Sequence, residues 1–84
     1  MKAVKVYTKN YCPYCTKAKI LLTQKSVAFE EINLEKKDPD FAQKLFAQTG
    51  FRTVPQIFIG DECIGGCDEL YELEEAGELD KKLA

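Results

Sequence analysis

The stretch that decides the fold is Lys9-Asn10-Tyr11-Cys12-Pro13-Tyr14-Cys15-Thr16-Lys17-Ala18-Lys19-Ile20-Leu21-Leu22. Val4 and Val6 alternate before it, and Ala18, Leu21 and Leu22 recur at helical spacing within it, so a pair of cysteines lies where a strand gives way to a helix. Pro13 is preset for the first helical position, which makes Cys12 the N-cap. The backbone N–H groups of Tyr14 and Cys15 then lack helical partners and are expected to point at the Cys12 sulfur. Cys12 is the candidate nucleophile. Cys15 lies about one helical turn further on, close enough for a disulfide.

Holding Cys12 as a thiolate at neutral pH takes roughly 3–4 kcal/mol in favour of the charged form. A helix terminus supplies only about 0.3–1 kcal/mol, or ~2 when partly buried. Hydrogen bonds to a charged acceptor add roughly 1.5–3 kcal/mol, and the ammonium of Lys9, three residues upstream, adds a screened attraction. Together these suffice. The expectation is a thiolate at Cys12 and a thiol at Cys15.

Outward from that centre, the 84 residues are expected to form one domain, 1–84, large enough for its own core. A hydrophobic content of 45% with 31% charged residues reads as soluble and globular. The formal net charge of −2 argues against nucleic acid as a partner. Charge is unevenly placed, since Lys2, Lys5, Lys9, Lys17, Lys19 and Lys25 all precede the first acid, Glu30, whereas every charged residue from Asp68 to Asp80 is acidic. Met1-Lys2-Ala3-Val4-Lys5 has no apolar secretory core, and no run approaches a membrane span. The expected setting is the cytoplasm, where a Cys-x-x-Cys is catalytic or metal-binding rather than structural.

Residues 3–7 read as a first strand, and a helix runs from Pro13 to about Gln24 with Lys25 near its C-terminus. Residues 27–34 read as a second strand, either covered on both faces or bulged, because Phe29 and Ile32 fall on opposite faces. Asp38-Pro39-Asp40 supplies an N-cap, an N1 proline and a first-turn acid for a second helix, in which Phe41, Leu45 and Phe46 share a face until Thr49-Gly50. The run Ile57-Phe58-Ile59 turns at Gly60-Asp61 into Cys63-Ile64, an antiparallel hairpin. A third helix starts near Asp68, buries Leu70 and Leu73 and ends at Gly77, and Leu79 and Leu83 suit a closing half-buried helix. The order β-α-β-α-β-β-α implies an α/β fold with one four-stranded mixed sheet flanked by helices.

Three separated motifs, Cys12-Pro13-Tyr14-Cys15, Thr53-Val54-Pro55 and Gly65-Gly66-Cys67-Asp68, stand in an order that resembles the glutaredoxins, in particular the small bacterial dithiol type. The resemblance covers essentially the whole chain. It implies a thioredoxin-like fold in which Pro55 is cis and faces Cys12 and Cys15, and a glutathione-dependent thiol–disulfide oxidoreductase with no tightly bound cofactor. It further implies that the backbone of Val54, between Thr53 and Pro55, pairs with the cysteinyl part of glutathione. Gly66, Cys67 and Asp68 then receive the γ-glutamyl end at a helix start, Lys9 and Arg52 meet the glycyl carboxylate, and Tyr14 lines the groove. From the residues alone, Asp68 reads equally as an ordinary N-cap, and Lys9 and Arg52 as solvated surface. Gln43 or Gln48 is a further contact candidate without a firm place.

The expected partners are glutathione, glutathionylated or disulfide-containing proteins and, through glutathione disulfide, glutathione reductase; the protein is expected to act as a monomer. One alternative keeps the chemistry but draws electrons from thioredoxin reductase, a branch that Gly50-Phe51-Arg52 faintly resembles. Another is a carrier of a glutathione-ligated iron–sulfur cluster through Cys12, against which Pro13 stands where cluster-binding members usually have Gly. Cys63 and Cys67 read as small apolar residues, and their spacing from Cys12 and Cys15 is too long for a zinc ribbon.

Overall fold

A computed structural model describes residues 1–84. Strand β1 (Val4–Thr8) leads into helix α1 (Pro13–Gln24), followed by β2 (Glu30–Asn33), a 3-10 turn (Leu34–Lys36) and α2 (Pro39–Thr49). Then come β3 (Gln56–Ile59), β4 (Glu62–Gly65), α3 (Cys67–Glu75) and α4 (Leu79–Leu83). The four strands form one sheet in the order β2-β1-β3-β4. β1 pairs parallel with β2 and antiparallel with β3, and β3 pairs antiparallel with β4. This is the thioredoxin-like mixed sheet that the motif order implies.

Alternation along β1 and β3 decides which face carries what. Val4, Val6, Ile57 and Ile59 turn to one face and join Ala18, Leu21 and Leu22 of α1, Leu70 of α3 and Leu79 and Leu83 of α4 in the main core. Tyr7 and Phe58 turn to the other, where their rings meet edge to face at 5.5 Å and Phe41 of α2 approaches Tyr7 at 6.2 Å. Gly60-Asp61 makes the expected two-residue turn, with Gly60 at φ 61°. Lys25, at the end of α1, is paired with Glu74 at 2.8 Å and Asp80 at 3.0 Å, which ties α1 to the last two helices. Those two carboxylates, Glu74 first, hold its ammonium above its ordinary range.

Several expected boundaries shift for local reasons. β1 runs one residue later because its parallel pairing with β2 extends to Thr8, opposite Asn33. The second strand is only Glu30–Asn33 and lies at the sheet edge, neither covered on both faces nor bulged. Val27 instead closes the turn after α1, its N–H bonded to Leu22 O at 2.9 Å, so Phe29 belongs to a loop and its clash of faces with Ile32 disappears. Leu34 leaves the strand because the Asn33 side chain accepts from Glu35 N–H at 2.9 Å and starts the 3-10 turn. The register irregularity falls between β3 and β4 at Ile57/Phe58. In α2 only Leu45 is fully buried, and Asp38 caps through its backbone alone. In α3 the cap is Gly66 rather than Asp68, and Leu73 is half-buried.

Candidate active site

The loop from β1 to α1 is held before the first cysteine is reached. The buried Thr8 hydroxyl donates to Glu31 at 2.8 Å, and Lys19 Nζ reaches both oxygens of the same carboxylate at 3.1 and 3.2 Å. The Thr8 bond, then the Lys19 ammonium, holds the Glu31 carboxyl below the usual range against its partial desolvation. Asn10 N–H donates to Glu35 at 2.6 Å, and Asn33 donates to the Asn10 side-chain oxygen at 2.8 Å. Tyr11 follows at φ 54° with its ring fully exposed.

Cys12 is the N-cap of α1 with an extended backbone, and Pro13 stands at N1. The N–H of Cys15, at N3, donates to the Cys12 sulfur at 3.2 Å, which is the bond a capping side chain makes. The expected second donor, Tyr14 at N2, does not reach it. Cys12 and Cys15 form a disulfide with Cα atoms 5.2 Å apart, so the structure is the oxidised form. Cys15 is buried at 2% exposure and Cys12 is half-buried, so the outer sulfur is the one an incoming thiolate can reach.

Opposite this pair the Val54-Pro55 bond is cis, and Val54 O lies 4.0 Å from the Cys12 sulfur. A groove of about 450 Å³ opens there, lined by Tyr14, Phe51, Thr53-Val54-Pro55 and Gly66-Cys67-Asp68-Glu69. It brings Tyr14, Thr53, Val54, Pro55, Gly66, Cys67 and Asp68 together. Gly66 suits a close approach here, because a Cβ would sit 3.1 Å from Pro55 O, tighter than ordinary contact. Its N–H donates to Glu69 at 2.6 Å, leaving Cys67 and Asp68 as the first two residues of α3.

Arg52 is not in this groove. It lines an adjacent depression of about 240 Å³ with Gln43, Phe46 and Ala47, while Lys9 lies exposed outside both. Phe51 and Glu69 are the lining residues that sequence reasoning missed. Glu69 carried a signal, since an acid three residues after a helix cap is the second half of a capping box; Phe51 carried none beyond following the helix stop.

The other two cysteines are differently placed. Burial first pushes the Cys67 thiol up, with Asp68 and Glu69 adding and Lys17 opposing. Cys63 is pushed up by burial, opposed by a backbone hydrogen bond from Gly65. No cluster of three or more potential metal-ligating side chains forms, so Cys63 and Cys67 do not converge with Cys12 and Cys15.

A Cys-x-x-Cys disulfide capping a helix, facing a cis proline on a mixed sheet of this topology, defines a thiol–disulfide oxidoreductase of thioredoxin-like fold. The chain belongs to the glutaredoxin family, whose model matches residues 4–64. It is 48% identical over 84 residues to a glutaredoxin of Pseudomonas aeruginosa, covering 100% of this chain and 99% of the relative. Glutaredoxin 3 of Escherichia coli K12 is 45% identical over 83 residues, with 99% of each chain covered. The crystal structure of a buckwheat glutaredoxin–glutathione complex superposes with a TM-score of 0.92 at 36% identity, covering 98% of this chain and 76% of that one.

Proposed function

We propose that the protein is a glutathione-dependent oxidoreductase that reduces protein–glutathione mixed disulfides and protein disulfides. The observation that carries this reading is the groove itself: it starts at the Val54 edge, 4.0 Å from the Cys12 sulfur, and ends at the start of α3. Glutathione is an extended tripeptide with a carboxylate and amine at one end. The Val54 backbone suits its cysteinyl unit. The N–H groups of Cys67 and Asp68 suit the γ-glutamyl carboxylate, the Asp68 carboxylate suits the amine, and Tyr14 flanks the bound chain. Lys9 and Arg52, which lie outside the groove lining, are the cations proposed for the glycyl carboxylate. The related buckwheat protein binds glutathione in its crystal structure.

In the reaction, the Cys12 thiolate attacks the glutathionyl sulfur of a mixed disulfide, and the substrate's sulfur leaves as a thiolate that takes up a proton. A second glutathione thiolate then attacks the Cys12 adduct, releasing glutathione disulfide for glutathione reductase. On a protein disulfide, Cys12 forms the mixed disulfide with the substrate and Cys15 displaces it, giving the Cys12–Cys15 disulfide. No bound cofactor is needed, because glutathione carries the electrons. In this reading the protein acts as a monomer in the reducing cytoplasm. No helix is long and apolar enough to cross a membrane.

The test is NADPH consumption with a small glutathione mixed disulfide, supplied either with glutathione and glutathione reductase or with thioredoxin reductase alone. Rapid turnover with glutathione only is the expected result. Turnover with thioredoxin reductase only would overturn the glutathione reading and leave the Cys12 chemistry standing.

A further inference from the structure

Gln56 is the first residue after the cis proline, and at 1% exposure its amide is one of the two polar side chains buried in the fold. A buried amide must find partners, and both of these lie in one short segment. Gln56 Nε2 donates to Phe51 O at 3.1 Å, and Gln56 Oε1 accepts from the Thr49 hydroxyl at 2.9 Å. The Thr49 oxygen in turn accepts from Phe51 N–H at 3.2 Å, so the three residues close a ring of hydrogen bonds. The ring also fixes the amide's orientation, because reversing it would set Gln56 Oε1 against the Phe51 carbonyl.

The span closed by this ring is the one that matters chemically. Residues 51–55 have no helix or strand of their own, yet they supply Phe51, Thr53, Val54 and Pro55 to the groove. At one end Gly50 terminates α2 at φ 80°; at the other, Gln56 enters the sheet opposite Tyr7. Between them the Gln56 side chain is the cross-tie from the strand back to the start of the loop.

We propose that Gln56 and Thr49 are positioning residues that lock segment 51–55, so that the Val54 edge and the Phe51 wall are set before substrate arrives. Neither touches the reacting sulfurs. Their effect is expected on binding rather than on the thiol chemistry, since the N–H that the Cys12 sulfur accepts comes from α1. The inference rests on the glutathione reading for the ligand that occupies the groove, but the locking itself is a property of the free protein.

Thr49→Val keeps the side-chain shape and removes the hydroxyl, leaving Phe51 N–H and Gln56 Oε1 without partners. The expected result is an apparent KM for the glutathione mixed disulfide raised about three- to tenfold, the range of one or two lost hydrogen bonds, with kcat within about twofold of the unmodified protein. Thr49→Ser restores the hydroxyl and is expected to return KM to within about twofold. In the free protein, amide hydrogen exchange at Phe51, whose N–H the Thr49 oxygen accepts, is expected to quicken in Thr49→Val while the β1 amides keep their rates. Should Thr49→Val not fold, Thr49→Ala, a good helix former on the last turn of α2, makes the same measurement. An unchanged KM, or a kcat that falls together with kcat/KM, would overturn the proposal even if the variant were less stable. If the unmodified protein showed no turnover with glutathione, the glutathione reading would fail on its own, and the exchange rates would still decide the locking.

Discussion

Cys12 and Cys67 each stand at the start of a helix beside the same groove, and the structure treats them in opposite ways. Cys12 is the cap of α1, half-exposed, with its sulfur accepting the N–H of the third helical residue. Cys67 stands one position further in, at the first residue of α3, is buried at 4% exposure, and receives no N–H at its sulfur because Gly66 holds the cap position. Burial pushes the Cys67 thiol up, whereas the Cys12 sulfur accepts a helical N–H. A helix start therefore does not by itself make a cysteine reactive. What differs is one residue of register against the cap, and how deeply the side chain is buried.

The largest test of that difference is Cys12→Ser, which is expected to lower turnover on every disulfide substrate by on the order of a thousandfold or more, since a hydroxyl cannot replace the attacking thiolate. Cys15→Ser should keep the reduction of glutathione mixed disulfides and lose that of protein disulfides in the same coupled assay. Loss of both in Cys15→Ser would erase the asymmetry drawn here between the outer and inner sulfur.

A smaller effect lies with Cys63 and Cys67. Both thiols titrate higher in the folded chain than in the unfolded one, because burial disfavours their anions. The stability that this contributes is fully present below the unfolded thiol value of about 8.5 and is lost as pH rises through the higher folded values. With the Cys12–Cys15 disulfide kept intact, denaturant unfolding from pH 7 to 10 should show a steeper alkaline loss for the native chain than for the Cys63→Ala/Cys67→Ala double variant. Parallel curves would mean that the second cysteines are not held in their protonated form by the fold.

The redox centre was largely legible in the sequence because its geometry is local: Pro13 sets the helix start, and Cys12 and Cys15 are cap and third residue whatever packs around them. The groove opposite was legible only through motifs, since the fold brings Val54 beside Cys12 and gathers Val54, Gly66 and Asp68 into one groove from separate parts of the chain. Reading failed where distant contacts decide. Thr8 joins β1 because it pairs with Asn33 of β2, where its hydroxyl also donates to Glu31, and Phe29 lies outside β2, in the loop that follows the Val27 turn after α1. Asp68 reads as a cap from composition, but the cap lies two residues earlier at Gly66, whose N–H donates to the Glu69 carboxylate. Arg52 sits next to Thr53 in the chain, yet its neighbours are Gln43, Phe46 and Ala47 of α2, which no spacing rule reveals.

The most direct measurement is to incubate reduced Cys15→Ser protein with glutathione disulfide at neutral pH and map the glutathionyl adduct by mass spectrometry. A single adduct on Cys12 is expected, removed by added glutathione, with Cys63 and Cys67 unmodified over the same time. Adducts appearing on Cys67 or Cys63 as fast as on Cys12, or no adduct at all, would contradict it.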